Sequence, residues 1–550
     1  MGWYPSRCIG FAALAAVCLS STLPVALADE DSDGIQVVPR AVCGPEDNPE
    51  AALQGQVPAA LRAAGFKGFN CNLTLIGQSR NDGGNWQSAE FKERRQAGAG
   101  EAEQGDAGNA RTCGYYGSQS PALSSKSRDP ATYGTRVVDL SDPKEPTLTG
   151  YLQTSAMLDP WESLKVNERR QLLMSDQGTN GGGGPSVDVY DVSVDCRSPQ
   201  LLASIAIGTG ADGGTLAPVT PIGHEGALAP DGLTYYVGDT TNRMYHAVDL
   251  TDPTKPKHIA TFDMKTLTHQ RPDVTGDLVL RAHGLSVSED GNRLYVTSPA
   301  LGTPLTDLGT SAPGSNGFVI LDTSEVQARV PNAQMKVISQ YLFKDGSAAQ
   351  HTIPVRIRGR PYLIHVDEGG SNGLSYAAWS ASCLAGFTPF PMARILDISD
   401  ETRPKLASKL VLEVNDPAKC ASVLPDIVGL TAFTYGTHYC SVDNRGNATT
   451  LACGMFNSGL RVFDIREPRH PREIAYFNPA GVTTPSLGSN HQTLEGFTPG
   501  LPDWCSAQVH LDAEHGTVWS TCQDNGLLML EFENGVWPFK DSATPPDQQN

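Results

Sequence analysis

The chain has no C-x-x-C pair, no excess of positive charge, no convincing long amphipathic helix and, after its first 28 residues, no bilayer-spanning apolar run. Each absence excludes something. Without C-x-x-C, a thioredoxin-like or zinc-ribbon reading has little support. A transmembrane helix needs about 20 predominantly apolar residues, and no later segment provides them. With 41 basic against 60 acidic residues and a formal charge of −19, no cationic surface exists to release counterions from nucleic acid or to hold anionic lipid. The acidic balance reads as solubility. H-E-x-x-H and the phosphate-binding P-loop are missing too, and nothing in the order of Ser, His and Asp singles out a triad.

What the chain has instead is a repeated sentence. RVFDIREPRHPREIAYF at 461–477 is a β-branched run, an Asp, a turn closed by Pro and a second strand-like run. The same spelling recurs as RVVDLSDPKEP from Arg136, DVYDVSVDCRSP from Asp188, HAVDLTDPTKP from His246 and RILDISDETRP from Arg394. Degraded copies begin at Phe318 and Leu527. Val, Ile and Phe fit a pleated, half-buried surface, while Asp and Ser cap a turn and Pro fixes φ. The markers Asp139, Asp191, Asp249, Asp322, Asp397, Asp464 and Glu531 are spaced by 52, 58, 73, 75, 67 and 67 residues. Each unit has room for about four short strands, and a second strand pair precedes each hinge. Seven such units predict an all-β, seven-bladed β-propeller over residues 70–540, closed so that no sheet edge stays open.

The hinge VVDLSDPxxP and its partner strand resemble the LVIVD repeat. NCNLTLIGQ, DPWESLKVNERRQLL, GHEGALAPDGLTYY and HGLSVSEDGNRLYV are similar to stretches of secreted bacterial LVIVD-repeat proteins. The resemblance covers most of residues 70–533. It implies a propeller and carries no agreed activity with it.

Residues 1–28 have the layout of a secretory signal peptide: Arg7, an apolar run from Ile9 to Val17, and Ala26-Leu27-Ala28 before Asp29. Cleavage after Ala28 and export to the extracytoplasmic side are expected. Residues 29–69 read as an N-terminal extension with one or two helical turns at PAALRAAGF, and strand-like 35–42 as a segment that pairs with the last blade. Residues 84–111 read as a disordered insertion, 179–186 as a flexible loop and 541–550 as a frayed tail. The ten cysteines beyond residue 28 form an even set, as an oxidising compartment favours. Hairpin geometry predicts Cys440–Cys453 and Cys505–Cys522. Cys383 and Cys420 make a weaker third pair, and Cys43, Cys71, Cys113 and Cys196 stay unassigned.

Twelve histidines are spread over 550 residues, yet four of them share one register. His224, His283, His351 and His438 each lie eight residues before a turn glycine: Gly232, Gly291, Gly359 and Gly446. Trp161 holds that register in the second unit, followed by Glu162 as His224 is followed by Glu225. In a propeller, equivalent inner-strand positions form a ring at one mouth of the central channel. Four imidazoles on one arc suit Cu or Zn, with Glu225 and Glu162 as orienters or further ligands. The same histidines also fit a structural role, each ring capping a strand start by bonding a loop carbonyl.

Two functions follow. One is an exported binding or scaffold propeller, expected to be a monomer, that presents loops to a protein, polymer or small-molecule ligand. The other is a metal-dependent, oxidoreductase-like enzyme. In architecture and channel histidines alone, it is similar to the selenium-binding, methanethiol-oxidase propellers.

Overall fold

The computed structural model describes residues 26–27, 35–80, 83–93, 111–117, 133–176, 187–207, 223–267, 280–299, 316–430, 432–486, 489, 491 and 498–539. Its strands form seven antiparallel sheets of four, two of them with an added edge strand. The chain is a seven-bladed β-propeller. The inner strands are Ser88–Lys92, Lys165–Asn167, Glu225–Leu228, Leu285–Val287, Ala348–Ile357, Tyr439–Val442 and His510–Asp512. The first six blades then run outward in chain order, and the inner strands of all seven surround a common channel.

The repeated sentence is the third and fourth strand of each blade. Thr135–Asp139, Val187–Asp191, Met244–Asp249, Gly317–Asp322, Ala393–Asp397 and Gly459–Asp464 all end on the marker Asp. In each of those six blades the Asp Oδ1 accepts the backbone N–H two residues on, at 2.8–3.1 Å. That side-chain acceptor closes the turn. A register shift recurs between the third and fourth strands, between Val137 and Val138 in the first blade and between Val462 and Phe463 in the sixth. Such bulges increase local twist.

Alternation along the strands divides the core between neighbouring blades. In the fifth blade Ile364 and Ile395 pack with Leu451 and Phe463 of the sixth. Leu363 and Leu396, one residue away, pack with Phe318 and Ile320 of the fourth. The Arg heading several third strands is buried and paired: Arg394 with Asp345 and Asp367, Arg461 with Glu50 and Glu473.

Ring closure differs from expectation. Leu73–Ser79 supplies the outer strand of the seventh blade by pairing with Gly526–Phe532. Residues 35–42 lie elsewhere: Val38 N donates to Val411 O at 2.9 Å, beside the fifth blade. The 84–111 stretch is not wholly an insertion either, because Ser88–Lys92 is the inner strand of the first blade. An inner strand needs few apolar residues. Ala89 and Phe91 enter the core, and their neighbours point the other way. Residues 94–110, 179–186 and 541–550 lie outside the described residues, as does most of 1–34. The backbone of Ala26–Leu27 pairs in parallel with Tyr341–Leu342. The PAALRAAGF stretch contains the helix Ala59–Ala63.

Ten cysteines form five disulfides. Cys440–Cys453, Cys505–Cys522 and Cys383–Cys420 match the sequence reading, and the other four pair as Cys43–Cys71 and Cys113–Cys196. Five bridges fit an oxidising, extracytoplasmic compartment. Among the described residues no helix is long and apolar enough to cross a membrane.

Candidate functional site

His224, His283 and His438 each stand at or just before the start of an inner strand, and the propeller brings them together at one level of the channel. Their Nε2 atoms face two carboxylates. His224 lies 3.2 Å from Glu162 Oε2, and His438 lies 3.3 Å from Glu162 Oε1 and 3.4 Å from Glu368 Oε2. His283 lies 3.5 Å from Glu368 Oε1, and its ring centroid is 4.2 Å from that of His224. All five side chains are almost entirely buried, His224 being the most open at 13%.

The other ring nitrogens decide the chemistry. His438 Nδ1 donates to the Ser506 carbonyl at 2.8 Å and His283 Nδ1 to the Gln350 carbonyl at 3.2 Å. A carbonyl only accepts, so both Nδ1 atoms carry a proton, and in the neutral ring each Nε2 presents a lone pair. A lone pair aimed at a carboxylate is repulsive unless a proton or a metal ion lies between them. For His438 the proton is available: burial would lower its pKa, but Glu162 and Glu368 outweigh burial and lift it to about 9. Burial likewise opposes Glu162, yet His224 and His438 hold it well below the usual carboxylate range. His283 is pushed the other way, down, by burial and by His224.

The spacing also fits a cation. Ligand atoms at about 2.1 Å from one ion lie about 3.0 Å apart at right angles and about 3.4 Å apart at tetrahedral angles. The His–Glu contacts, 3.2–3.5 Å, lie in the upper part of that range and just past it. Donor atoms of Glu162, His224 and His283 all lie within 4.8 Å of one another, with His438 and Glu368 beside that group. Two carboxylates and three neutral imidazoles balance a divalent ion in charge. The two carboxylates are hard oxygen donors, so the set suits Fe(II) or Mn(II) as well as the Zn or Cu expected from imidazoles alone.

On the side where the inner strands begin, aromatic rings close the channel over the cluster. Trp86 lies 5.0 Å from His438, 5.9 Å from Trp161 and 6.1 Å from Trp504, and Phe433 stacks on Phe456 at 4.8 Å. The opposite side holds a cavity of about 270 Å³.

Two of the sequence candidates lie apart from the three-histidine group. His351 sits inside the strand Ala348–Ile357, just after a register shift at Ala349, and a bulge re-aims the side chains that follow it. Its Nε2 lies 3.2 Å from the Cys440 carbonyl, its ring stacks on Tyr439 at 4.6 Å, and burial pushes its pKa down to about 3. Glu225 lines the cavity beside Lys165, and burial raises its pKa well above the carboxylate range. Glu162, weighed from sequence only as an accessory, bridges two of the histidines. Glu368 was not legible from the histidine register, because it ends the second strand of its blade (Arg360–Gly369) rather than starting the first.

Three catalogue motifs are also spelled in the chain. Residues 29–34 begin a calcium loop, but its twelfth position is Arg40 rather than a bidentate Glu. Gly208–Gly213 spells G-x-G-x-x-G and lies outside the described residues. Gly369–Gly373 spells G-x-S-x-G, yet Ser371 Oγ donates to the Thr388 carbonyl at 2.9 Å and accepts from Gly346 N, which makes it a loop brace.

No protein-family model matches the chain, and no curated protein matches it. Among solved structures it is similar to a Lactobacillus plantarum protein at 14% identity over 74% of this chain and 87% of that one, TM-score 0.44. It is similar to hydrazine synthase of Kuenenia stuttgartiensis at 12% identity over 83% and 97%, TM-score 0.45. It is similar to the periplasmic gluconolactonase of Pseudomonas aeruginosa at 15% identity over 73% and 96%, TM-score 0.42. These similarities are of fold.

Proposed function

We propose that the protein is an exported, metal-dependent enzyme whose divalent cation is held by His224, His283 and His438 together with Glu162 and Glu368. The observation that carries this reading is the orientation of His283 and His438. Each spends Nδ1–H on a backbone carbonyl and turns Nε2, the remaining ligand atom, toward a carboxylate. The structural role of a strand-capping histidine accounts for the two Nδ1 contacts to carbonyls, but not for the carboxylates that Nε2 faces. Glu162, His224 and His283 would hold the ion, their donor atoms lying within 4.8 Å of one another, and His438 and Glu368 would close on it from beside that group. A cation bound there would supply Lewis acidity or one-electron chemistry, and the aromatic cap would keep bulk water from one side of it.

Cobalt(II) tests the reading. Titrating metal-free wild-type protein is expected to give protein-bound visible bands that saturate at one equivalent and vanish in His438→Ala. A wild-type spectrum indistinguishable from aqueous Co(II) contradicts the reading. Export is supported by the A-x-A ending before Asp29 and by the five disulfides. N-terminal sequencing of secreted protein is expected to begin at Asp29, and an exported protein retaining Met1 contradicts cleavage there.

A further inference from the structure

The cavity on the far side of the cluster is unlike the rest of this acidic protein. Lys165 and Arg445 both line it, in a chain whose formal charge is −19. Lys165 comes from the inner strand of the second blade. Arg445 comes from the turn that follows Tyr439–Val442 in the sixth, so the two cations approach from opposite sides of the ring. Neither forms an ion pair with a described carboxylate. Lys165 Nζ donates to two neutral acceptors, Gln87 Oε1 at 2.7 Å and the Glu162 carbonyl at 3.4 Å. Glu225, Asp176 and Glu162 act on it only at longer range, and Arg445 is close enough to repel it. Arg445 is exposed at the mouth, while the walls around it still desolvate its guanidinium.

Like charges that face one cavity with no ion-pair partner are costly, and a folded chain retains them where an opposite charge arrives from outside. Glu225 on the same wall is pushed toward its neutral form by burial and does not pair with either cation. A second observation points the same way. On the same wall, His351 is 4% exposed and its Nδ1 has no hydrogen-bond partner; nor has Ser441 Oγ. Buried polar atoms are seldom left unbonded. The volume, about 270 Å³, lies just under the ~300–1,000 Å³ of sites for drug-sized ligands, so the occupant is small.

We infer that this cavity is a binding site for a small dianion, an organic phosphate or a dicarboxylate, clamped between Lys165 and Arg445 with His351 and Ser441 as further hydrogen-bonding groups. The site stands independently of the cation, and it supplies the substrate class that the proposed enzyme lacks. Arg445 at the mouth draws the anion in against the net field of the chain. Lys165, whose Nζ touches the Glu162 carbonyl, holds it next to the histidine level.

Isothermal titration with inorganic phosphate and with malonate tests the inference on wild-type protein, Lys165→Gln and Arg445→Gln. At least one of the two anions is expected to bind wild-type protein, and each variant to bind it at least tenfold more weakly. Preference for phosphate or for malonate assigns the ligand to phosphate esters or to dicarboxylates. Arg445→Gln alters an exposed turn residue, so it remains informative if the Lys165 variant folds poorly. Wild-type protein that binds neither anion, or an Arg445→Gln protein that binds like wild type, overturns the inference. His438→Ala separates the two readings: anion binding is expected to survive in it while the cation is lost.

Discussion

His438 Nε2 stands 3.3 Å from Glu162 Oε1, and the two residues come from opposite sides of the ring, the sixth blade and the entry to the second. At this level the channel is one side-chain pair wide. A seven-bladed channel is ordinarily broad enough for facing side chains to need water between them. Here Glu162 and Glu368 reach across and draw three imidazoles onto two carboxylates. Closure at this level separates the aromatic cap from the cationic cavity.

Glu162 is the shared partner of His224 and His438, so its charge matters more than its shape. Glu162→Gln keeps the volume and removes the anion. It is expected to weaken cation binding by more than about 100-fold, because Glu162 is placed as a ligand and even outer-shell changes cost a metal site about 10–100-fold. Competitive chelator titration measures it. A loss below threefold places Glu162 outside the binding set.

Acid sensitivity is expected from a histidine outside the cluster. Burial, with Lys92 adding to it, lowers His510 from 6.5 to about 3; its ring stacks on Trp519 at 4.2 Å. Unfolded His takes up a proton below 6.5 and half-buried His510 in the folded chain does not, so the unfolded state binds more protons between those values. Stability therefore falls as pH drops through that window, by about 2 kcal/mol from this residue by about pH 5. Urea unfolding of His510→Gln is expected to show a pH slope shallower by that amount. An unchanged slope removes His510 as a cause.

The five bridges differ in the loops they close. Cys113–Cys196 spans 83 residues and ties the first blade to the second, whereas Cys440–Cys453 spans 13 within one hairpin. Chain-entropy arguments give about 4.5 kcal/mol for the first and about 3 kcal/mol for the second. Replacing both cysteines of each pair by Ser is expected to destabilise in that order, read from denaturant midpoints. The reverse order contradicts the loop-length account.

The fold was legible because the β-branched run, the Asp cap and the Pro-closed turn recur in register. Asp139 to Asp464 end third strands and cap their turns as the spelling implies. Ring closure was not legible, since Leu73–Ser79 is an ordinary strand whose partner, Gly526–Phe532, lies at the other end of the chain. The site was half legible. Equal spacing to a turn glycine found His224, His283 and His438. It also selected His351, because spacing along one strand does not reveal a bulge: the register shift at Ala349 turns that imidazole toward Cys440. Glu368 escaped because it reaches the cluster from a second strand, where its Asp-Glu spelling resembles any polar strand end. Lys165 and Arg445 escaped because only closure of the ring brings the second and sixth blades face to face.

The central claim is that three histidines and two glutamates hold one divalent ion. Elemental analysis of protein purified without a histidine tag, then dialysed in turn against Zn, Cu, Fe(II) and Mn(II) and freed of excess metal, tests it most directly. About one equivalent of one of these metals is expected in wild type and in His351→Asn, and none in His438→Ala or in Glu162→Gln. Wild-type protein that stays metal-free after every dialysis, or His438→Ala protein that retains the wild-type metal content, contradicts the claim.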